Sequence, residues 1–194
     1  MSTPLVVLGS ASPRRARILR ELGVPFRVVV SSQDESPRPG EDGASTVERL
    51  ARAKALSVAA GQTLPVLAAD TEVVCDDCIL GKPADEGEAR AMLRRLSGRS
   101  HEVVTGVCLV NGERVASGVE TTRVTFASMS DQEVDWYAAT GEPLDKAGAY
   151  HIDGRGALFI DSVEGSPSNV AGLPVRLVLR LSHEAGVNLG WPRR

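Results

Sequence analysis

The apolar positions of the chain fall into short unbroken runs separated by helical stripes. Residues 5–8, Leu-Val-Val-Leu, form a run of strand length, and after Gly9-Ser10-Ala11 a stripe of Ile18, Leu19 and Leu22 follows at helical spacing. Ser12 is a good N-cap, Pro13 a good first helical residue and Gly23 a stop, so a strand is predicted to point into a helix start. The valine-rich residues 26–30 predict a second strand, and the polar, proline-containing residues 31–43 a loop. Ser45 and Glu48 have capping-box spacing for a helix reaching about residue 60. Residues 65–74 are the strongest strand pattern, and Asp76-Asp77 after them predicts a two-residue hairpin turn with a cysteine on each side.

Asp85 and Glu88 predict a helix with Ala89, Met92, Leu93 and Leu96 facing inward. Strands at 101–110 and 113–126 are joined by Asn111-Gly112, the best hairpin signal of the chain. Ser130 and Glu133 form a third capping box. Residues 142–156, dense in glycine and charge, predict a functional loop, and 157–160 a short strand. Pro174 opens a last helix packed through Val175, Val178 and Leu179, with a loose tail from about residue 187. Strand–helix units followed by hairpins predict an α/β fold, a mixed, partly antiparallel twisted sheet with flanking helices. At 194 residues the chain suits a single domain over 1–194, or two lobes sharing one core.

Four departures from the apolar pattern carry the chemistry. Arg14 and Arg15 occupy a first helical turn, where the positive helix end favours anions, so the turn looks built for an incoming anion such as phosphate. The plain alternative is a solvated basic helix, since neither GxxxxGK[ST] nor GxGxxG occurs here. Lys54 lies inside the apolar stripe of its helix with Val47, Leu50, Ala51 and Val58, and must be paired or snorkel. Asp70 interrupts the strongest strand and needs a cation, a metal or an open end of the site. By alternation Glu72 shares its face and Thr71 has the opposite one. Two carboxylates on that face, with Glu35 reaching from its loop, suit a divalent ion with oxygen ligands; a salt bridge to Lys54 or Lys82 is the plain alternative for Asp70, and the two are compatible.

The net charge of −3 argues against broad binding to nucleic acid or anionic lipid. The N-terminus lacks the order of a signal peptide and no apolar run approaches membrane-spanning length, so a cytoplasmic protein is expected. Cys75 and Cys78 have no second pair to complete a zinc site. The histidines His101, His151 and His183 are spread without ligand spacing, and no nucleophile elbow occurs. What remains is a set of cations with a set of carboxylates, a combination suited to phosphoryl chemistry.

The run Ser10-Ala11-Ser12-Pro13-Arg14-Arg15, with Ala69-Asp70-Thr71, Gly81-Lys82-Pro83, Gly141-Glu142-Pro143-Leu144-Asp145-Lys146-Ala147-Gly148-Ala149-Tyr150 and Ser168-Asn169-Val170-Ala171-Gly172-Leu173-Pro174, resembles the Maf family of nucleoside triphosphate pyrophosphatases. The likeness runs from about residue 5 to about 179 and is nearest the branch acting on dTTP and UTP. It implies two lobes around a nucleotide-binding cleft and a hydrolase acting on acid anhydrides, giving the monophosphate and pyrophosphate. It implies Ser10, Arg14 and Arg15 on the phosphates, Lys54 and Lys82 on the developing charge, and Asp70 with Glu35 on magnesium or manganese and the attacking water. Thr71 and Asp153 are implied at the base, where Asp153 replaces the glutamine usual in that branch. An ionised aspartate only accepts hydrogen bonds, so a weaker or broader base preference is expected; pairing with Arg155 is the plain alternative. The implied partner is a nucleoside triphosphate, with no stable nucleic acid and no membrane, and a homodimer stays open. The competing reading is a nucleotide- or RNA-binding regulator of cell division without turnover.

Overall fold

The computed structural model of the chain describes residues 3–191 other than 34, 37 and 39. β1 (Val6–Leu8) is wholly buried and leads into α1 (Pro13–Glu21), where the Ser12 hydroxyl caps the helix by accepting from the Arg15 N–H. β2 (Phe26–Val28) lies parallel to β1, with Val6 opposite Phe26. β3 (Val66–Cys75) lies parallel to β1 with Val7 opposite Val66. Parallel neighbours need a crossover, and α2 (Gly43–Ala59) supplies it between β2 and β3. β4 (Cys78–Leu80) returns antiparallel to β3 across Asp76-Asp77, both with positive φ (49° and 59°), which identifies a primed hairpin turn.

There follow α3 (Glu86–Leu96), β5 (Ser100–Asn111), β6 (Arg114–Phe126) and α4 (Asp131–Ala139). Three 3-10 turns, Glu142–Asp145, Ala147–Ala149 and Arg155–Phe159, lead to β7 (Ile160–Glu164), α5 (Pro167–Val170) and α6 (Val175–Glu184). The strand order is β2-β1-β3-β5-β6-β7, with β4 on β3. The sheet is therefore mixed, parallel at β2-β1-β3 and antiparallel at β3-β4 and β6-β7, with helices flanking it, as the hydrophobic pattern predicts.

The chain divides into two compact units. The first comprises Met1–Asp70, Thr105–Glu120 and Gly172–Arg194. Its core gathers Val7 and Ala51, Ala55 and Val58 of α2 with Val66, Ala68, Cys108 and Val110. α2 rests directly on the backbone of β5 at Gly106: a Cβ there would strike the Val47 carbonyl and lie 2.7 Å from the Glu48 nitrogen. The second unit comprises Thr71–Val104 and Thr121–Ala171. In its core His101, Phe126 and Tyr150 meet edge to face, with centroids 4.9 to 5.4 Å apart. The His101 Nε2 is 2.9 Å from the Tyr150 hydroxyl, and burial pushes the His101 pKa down to about 4.

Several predicted boundaries move for local reasons. The N-cap of α2 is Asp42 and not Ser45, because the Asp42 carboxylate accepts from the Ser45 N–H at 2.7 Å and starts the helix one turn earlier. The β5–β6 turn falls on Gly112-Glu113, one residue late. Residues 157–160 are not a strand: residues 155–159 form a 3-10 turn and β7 begins at Ile160. The short α5 was not predicted. The expected loose tail is packed as far as Trp191, with Val187 and Leu189 buried and the indole N–H donating to the Leu22 carbonyl at 3.4 Å. Residues 34, 37 and 39 of the predicted loop and 192–194 of the tail lie outside the described residues. Among the described residues no helix is long and apolar enough to cross a membrane.

Gly106→Ala forces α2 off β5 and is expected to cost about 3 kcal/mol or more, lowering Tm by roughly 10 °C in a thermal melt. His101 gives a pH-dependent term. The unfolded chain takes up its proton near 6.5 and the folded chain only near 4, so this contribution is complete above about 6.5 and is lost as pH falls toward 4. Unfolding free energies from urea titrations at pH 7 and pH 5 are expected to differ by about 2 kcal/mol more in wild type than in His101→Phe. Equal pH dependence in the two proteins rules the term out.

Candidate phosphoryl-transfer site

The first unit holds six of the sequence-predicted residues, in two linked groups. At the helix start, the buried Ser10 hydroxyl accepts from the Ser12 N–H at 3.2 Å and from Arg15 Nη1 at 3.0 Å. Arg15 Nε donates to the Gly172 carbonyl at 2.8 Å. Arg15 is thus a buried strut as well as a cation, held at two points of its fork. Burial lowers its pKa; the Asp70 carboxylate opposes that, Arg14 adds repulsion and Glu35 adds attraction. Arg14 is half-buried at the same helix start. The first turn holds no acidic residue, so nothing of the helix's own sequence neutralises its positive end.

The second group is centred on Lys54. Its side chain is 9% exposed, and its ammonium lies 2.6 Å from Asp70 Oδ1 and 2.9 Å from Glu35 Oε2. The lysine in the apolar stripe and the aspartate in the strand therefore answer each other, and the salt bridge read as compatible with metal binding is present. Glu35, 57% exposed, is delivered by a loop that the sequence reading left unanchored. Arg49 of α2 forks onto Glu41, with Nε to Oε1 at 2.7 Å and Nη2 to Oε2 at 2.6 Å, and its Nη2 reaches the Ser36 carbonyl at 3.3 Å. This clamp fixes the residue next to Glu35. Its sequence signal, an acid eight residues before an arginine across a loop and a helix start, is too common to single out.

The remaining candidates belong to the second unit. Lys82 is exposed in the segment between β4 and α3, whose Gly81 carbonyl accepts from the Gly148 N–H at 3.1 Å. Thr71 is half-buried on β3, and Asp153 is exposed between the second and third 3-10 turns. Residues that sequence reasoning missed tie that segment together. The Tyr137 hydroxyl donates to Glu142 Oε1 at 2.8 Å and accepts from the His151 N–H at 3.0 Å, while Lys146 Nζ donates to the Glu142 carbonyl at 2.8 Å.

A sequence model described as Maf-like protein matches residues 5–185. The chain belongs to the Maf-like family. Among curated relatives this Maf-like protein is 50% identical over 188 residues to the dTTP/UTP pyrophosphatase of Myxococcus xanthus, covering 96% of this chain and 95% of that one. It is 48% identical over 195 residues to the dTTP/UTP pyrophosphatase of Anaeromyxobacter dehalogenans, covering 98% of each. A weaker likeness among solved structures is to the Ham1 protein of Staphylococcus aureus, 16% identical with a TM-score of 0.42 over 63% of this chain and 71% of that one.

Arg15 of the Maf-like helix start is pinned at the Ser10 hydroxyl and the Gly172 carbonyl, and that sets the cost of replacing it. Arg15→Ala removes two buried charge-assisted contacts and is expected to lose about 2–4 kcal/mol of stability, which Arg15→Lys does not restore because a single ammonium cannot span the fork. Denaturant titration of wild type and the two variants decides it; a loss below about 1 kcal/mol in Arg15→Ala refutes the strut.

Proposed function

We propose that the chain is a cytoplasmic nucleoside triphosphate pyrophosphatase that hydrolyses dTTP, UTP and related nucleotides to the monophosphate and pyrophosphate. The observation that carries this is the Lys54 ammonium held between Asp70 and Glu35, with Arg15 close enough to feel both carboxylates. The names of the curated relatives support the reaction and its position in the triphosphate.

In the reaction, water adds to phosphorus and the bond between the α and β phosphates breaks, so pyrophosphate leaves with the electron pair. Arg14 and Arg15, at the positive end of a helix, bind the phosphate oxygens, and Ser10 sets the Arg15 fork. Lys54 has three donors and can turn one from a carboxylate to a phosphate oxygen as charge develops, and Lys82 is the second unit's candidate for the same work. Asp70 orients the attacking water and takes its proton. Thr71 and Asp153 are the candidates for the base.

Asp70 and Glu35 also fit a divalent magnesium or manganese ion, because both present hard oxygen donors converging on one cation position, now that of the Lys54 ammonium. Among the described residues no group of three or more His, Cys, Asp or Glu gathers, so this chain offers such an ion two carboxylates here. When bound, such an ion supplies charge neutralisation at the phosphates.

The test is to incubate the protein with UTP, dTTP, CTP and GTP in Mg²⁺ or Mn²⁺ and separate the products. Monophosphate with pyrophosphate is expected, fastest from UTP and dTTP, and Asp70→Asn is expected to lower kcat at least about a hundredfold while circular dichroism shows the fold retained. Diphosphate with orthophosphate as products, nucleotide binding without turnover, or near-wild-type kcat in a folded Asp70→Asn protein overturns the reading.

A further inference from the structure

Residues 151–156 have no helix or strand of their own until the 3-10 turn at Arg155–Phe159, yet the segment is held at its two ends by two joined side chains. The Glu142 carboxylate accepts from the Arg155 N–H at 3.2 Å through Oε2 and from the Gly156 N–H at 3.2 Å through Oε1. The same Oε1 accepts from the Tyr137 hydroxyl, which in turn accepts from the His151 N–H. The two ends of the segment are thus joined through a tyrosine hydroxyl and a carboxylate, leaving Ile152, Asp153 and Gly154 to span them. The wrap is close. A Cβ on Gly154 would lie 2.7 Å from both Glu142 oxygens and from His151 Nδ1, and one on Gly156 would lie 2.6 Å from the Tyr137 hydroxyl.

The anchor itself is rigid. Tyr137 is fully buried in the last turn of α4, packed on Phe159 with centroids 5.5 Å apart, and α4 is fixed at its other end by a complete Ser130–Glu133 capping box. Glu142 is held at its main chain as well, its N–H donating to the Thr140 hydroxyl at 3.2 Å and its carbonyl accepting from Lys146 Nζ. Burial pushes the Glu142 carboxyl up, and the Tyr137 hydroxyl with the Arg155 and Gly156 N–H groups outweighs it, so the group stays below its ordinary pKa and remains an acceptor.

We propose that Tyr137 and Glu142 are positioning residues for base selection: together they hold residues 151–156, which carry Asp153, in the one shape that presents this segment to the nucleobase. The inference rests on the reading of this segment as base-recognising. Neither residue touches the nucleotide. Both act by fixing which backbone groups and which side chain of the segment face outward. A glutamine at 142 would keep the size, but its amide would set an NH₂ donor against one of the N–H groups that now donate to the carboxylate. Phenylalanine at 137 would keep the ring packing and remove only the hydroxyl that connects His151 to Glu142.

The experiment compares kcat and KM for UTP, dTTP, CTP and GTP in wild type, Glu142→Gln, Tyr137→Phe and Asp153→Gln. Glu142→Gln and Tyr137→Phe are expected to raise KM for the preferred pyrimidine triphosphate about fivefold or more and to narrow its kcat/KM advantage over the poorest base by a similar factor, with kcat changed less than about twofold. Should Glu142→Gln fail to fold, Tyr137→Phe carries the comparison alone. Unchanged base ratios in a folded Tyr137→Phe protein overturn the proposal, as does a uniform loss of kcat for every base, which marks a merely structural role. If those two variants shift the ratios and Asp153→Gln does not, the positioning stands and acts through the segment's backbone, while the role given to Asp153 falls. If only Asp153→Gln shifts them, the positioning falls and the Asp153 reading survives.

Discussion

A single ammonium group sets the terms for the first unit. Lys54 is nearly buried, and an unpaired charge there would cost several kcal/mol, so Asp70 and Glu35 must both be brought to it. Each requirement reaches back into the fold. α2 can set Lys54 opposite β3 only because it lies flush on β5, where Gly106 leaves no side chain between two backbones. Asp70 reaches Lys54 because it interrupts a buried strand at the right face. Glu35 reaches it because the Arg49–Glu41 fork draws its loop onto α2. Buried ion pairs add little net stability over apolar packing of the same volume, so this arrangement is better understood as chemistry that the fold accommodates than as a staple.

Arg15 shows how one cation can be part of the framework and a charge at once. It adds charge to a helix end that is already positive, yet it turns inward to the Gly172 carbonyl and the Ser10 hydroxyl. Its guanidinium is fixed before any anion arrives. A fixed donor array loses little entropy on binding, whereas a mobile one must be ordered at that moment. Arg14, half-buried beside it, adds its charge at the same helix end.

The elements were legible wherever a local cause decides them. The Ser12 cap, the Asp85 cap, the Ser130–Glu133 capping box and the Asp76-Asp77 turn all follow from a few neighbouring residues. Reading failed where two local signals compete, as at Asp42 against Ser45, or where an apolar run such as 157–160 is claimed by a tight turn. In the site, Lys54 and Asp70 stood out because each violates the pattern of its own element. Arg15 did not announce its anchor, since Gly172 is 157 residues away and a backbone carbonyl carries no sequence signal. Tyr137 and Glu142 were invisible for a like reason, since the His151, Arg155 and Gly156 N–H groups they hold are main-chain groups that every residue has, and the Arg49–Glu41 pair because its spacing is too common to single out.

The kind of partner also separates the carboxylates. Asp70 and Glu35 are held by a side-chain ammonium on a flexible stem, a partner that can rotate and share its three donors with an incoming oxygen. Glu142 is held by two main-chain N–H groups and a buried tyrosine hydroxyl, none of which can turn away without unfolding the segment it belongs to. A carboxylate with exchangeable partners can enter a reaction and recover its place afterwards. One with fixed partners can only define geometry. By that distinction Glu142, although it lies in the stretch richest in charge and glycine, belongs to the framework of its segment, and the pair on Lys54 has the exchangeable partner that acid–base work requires.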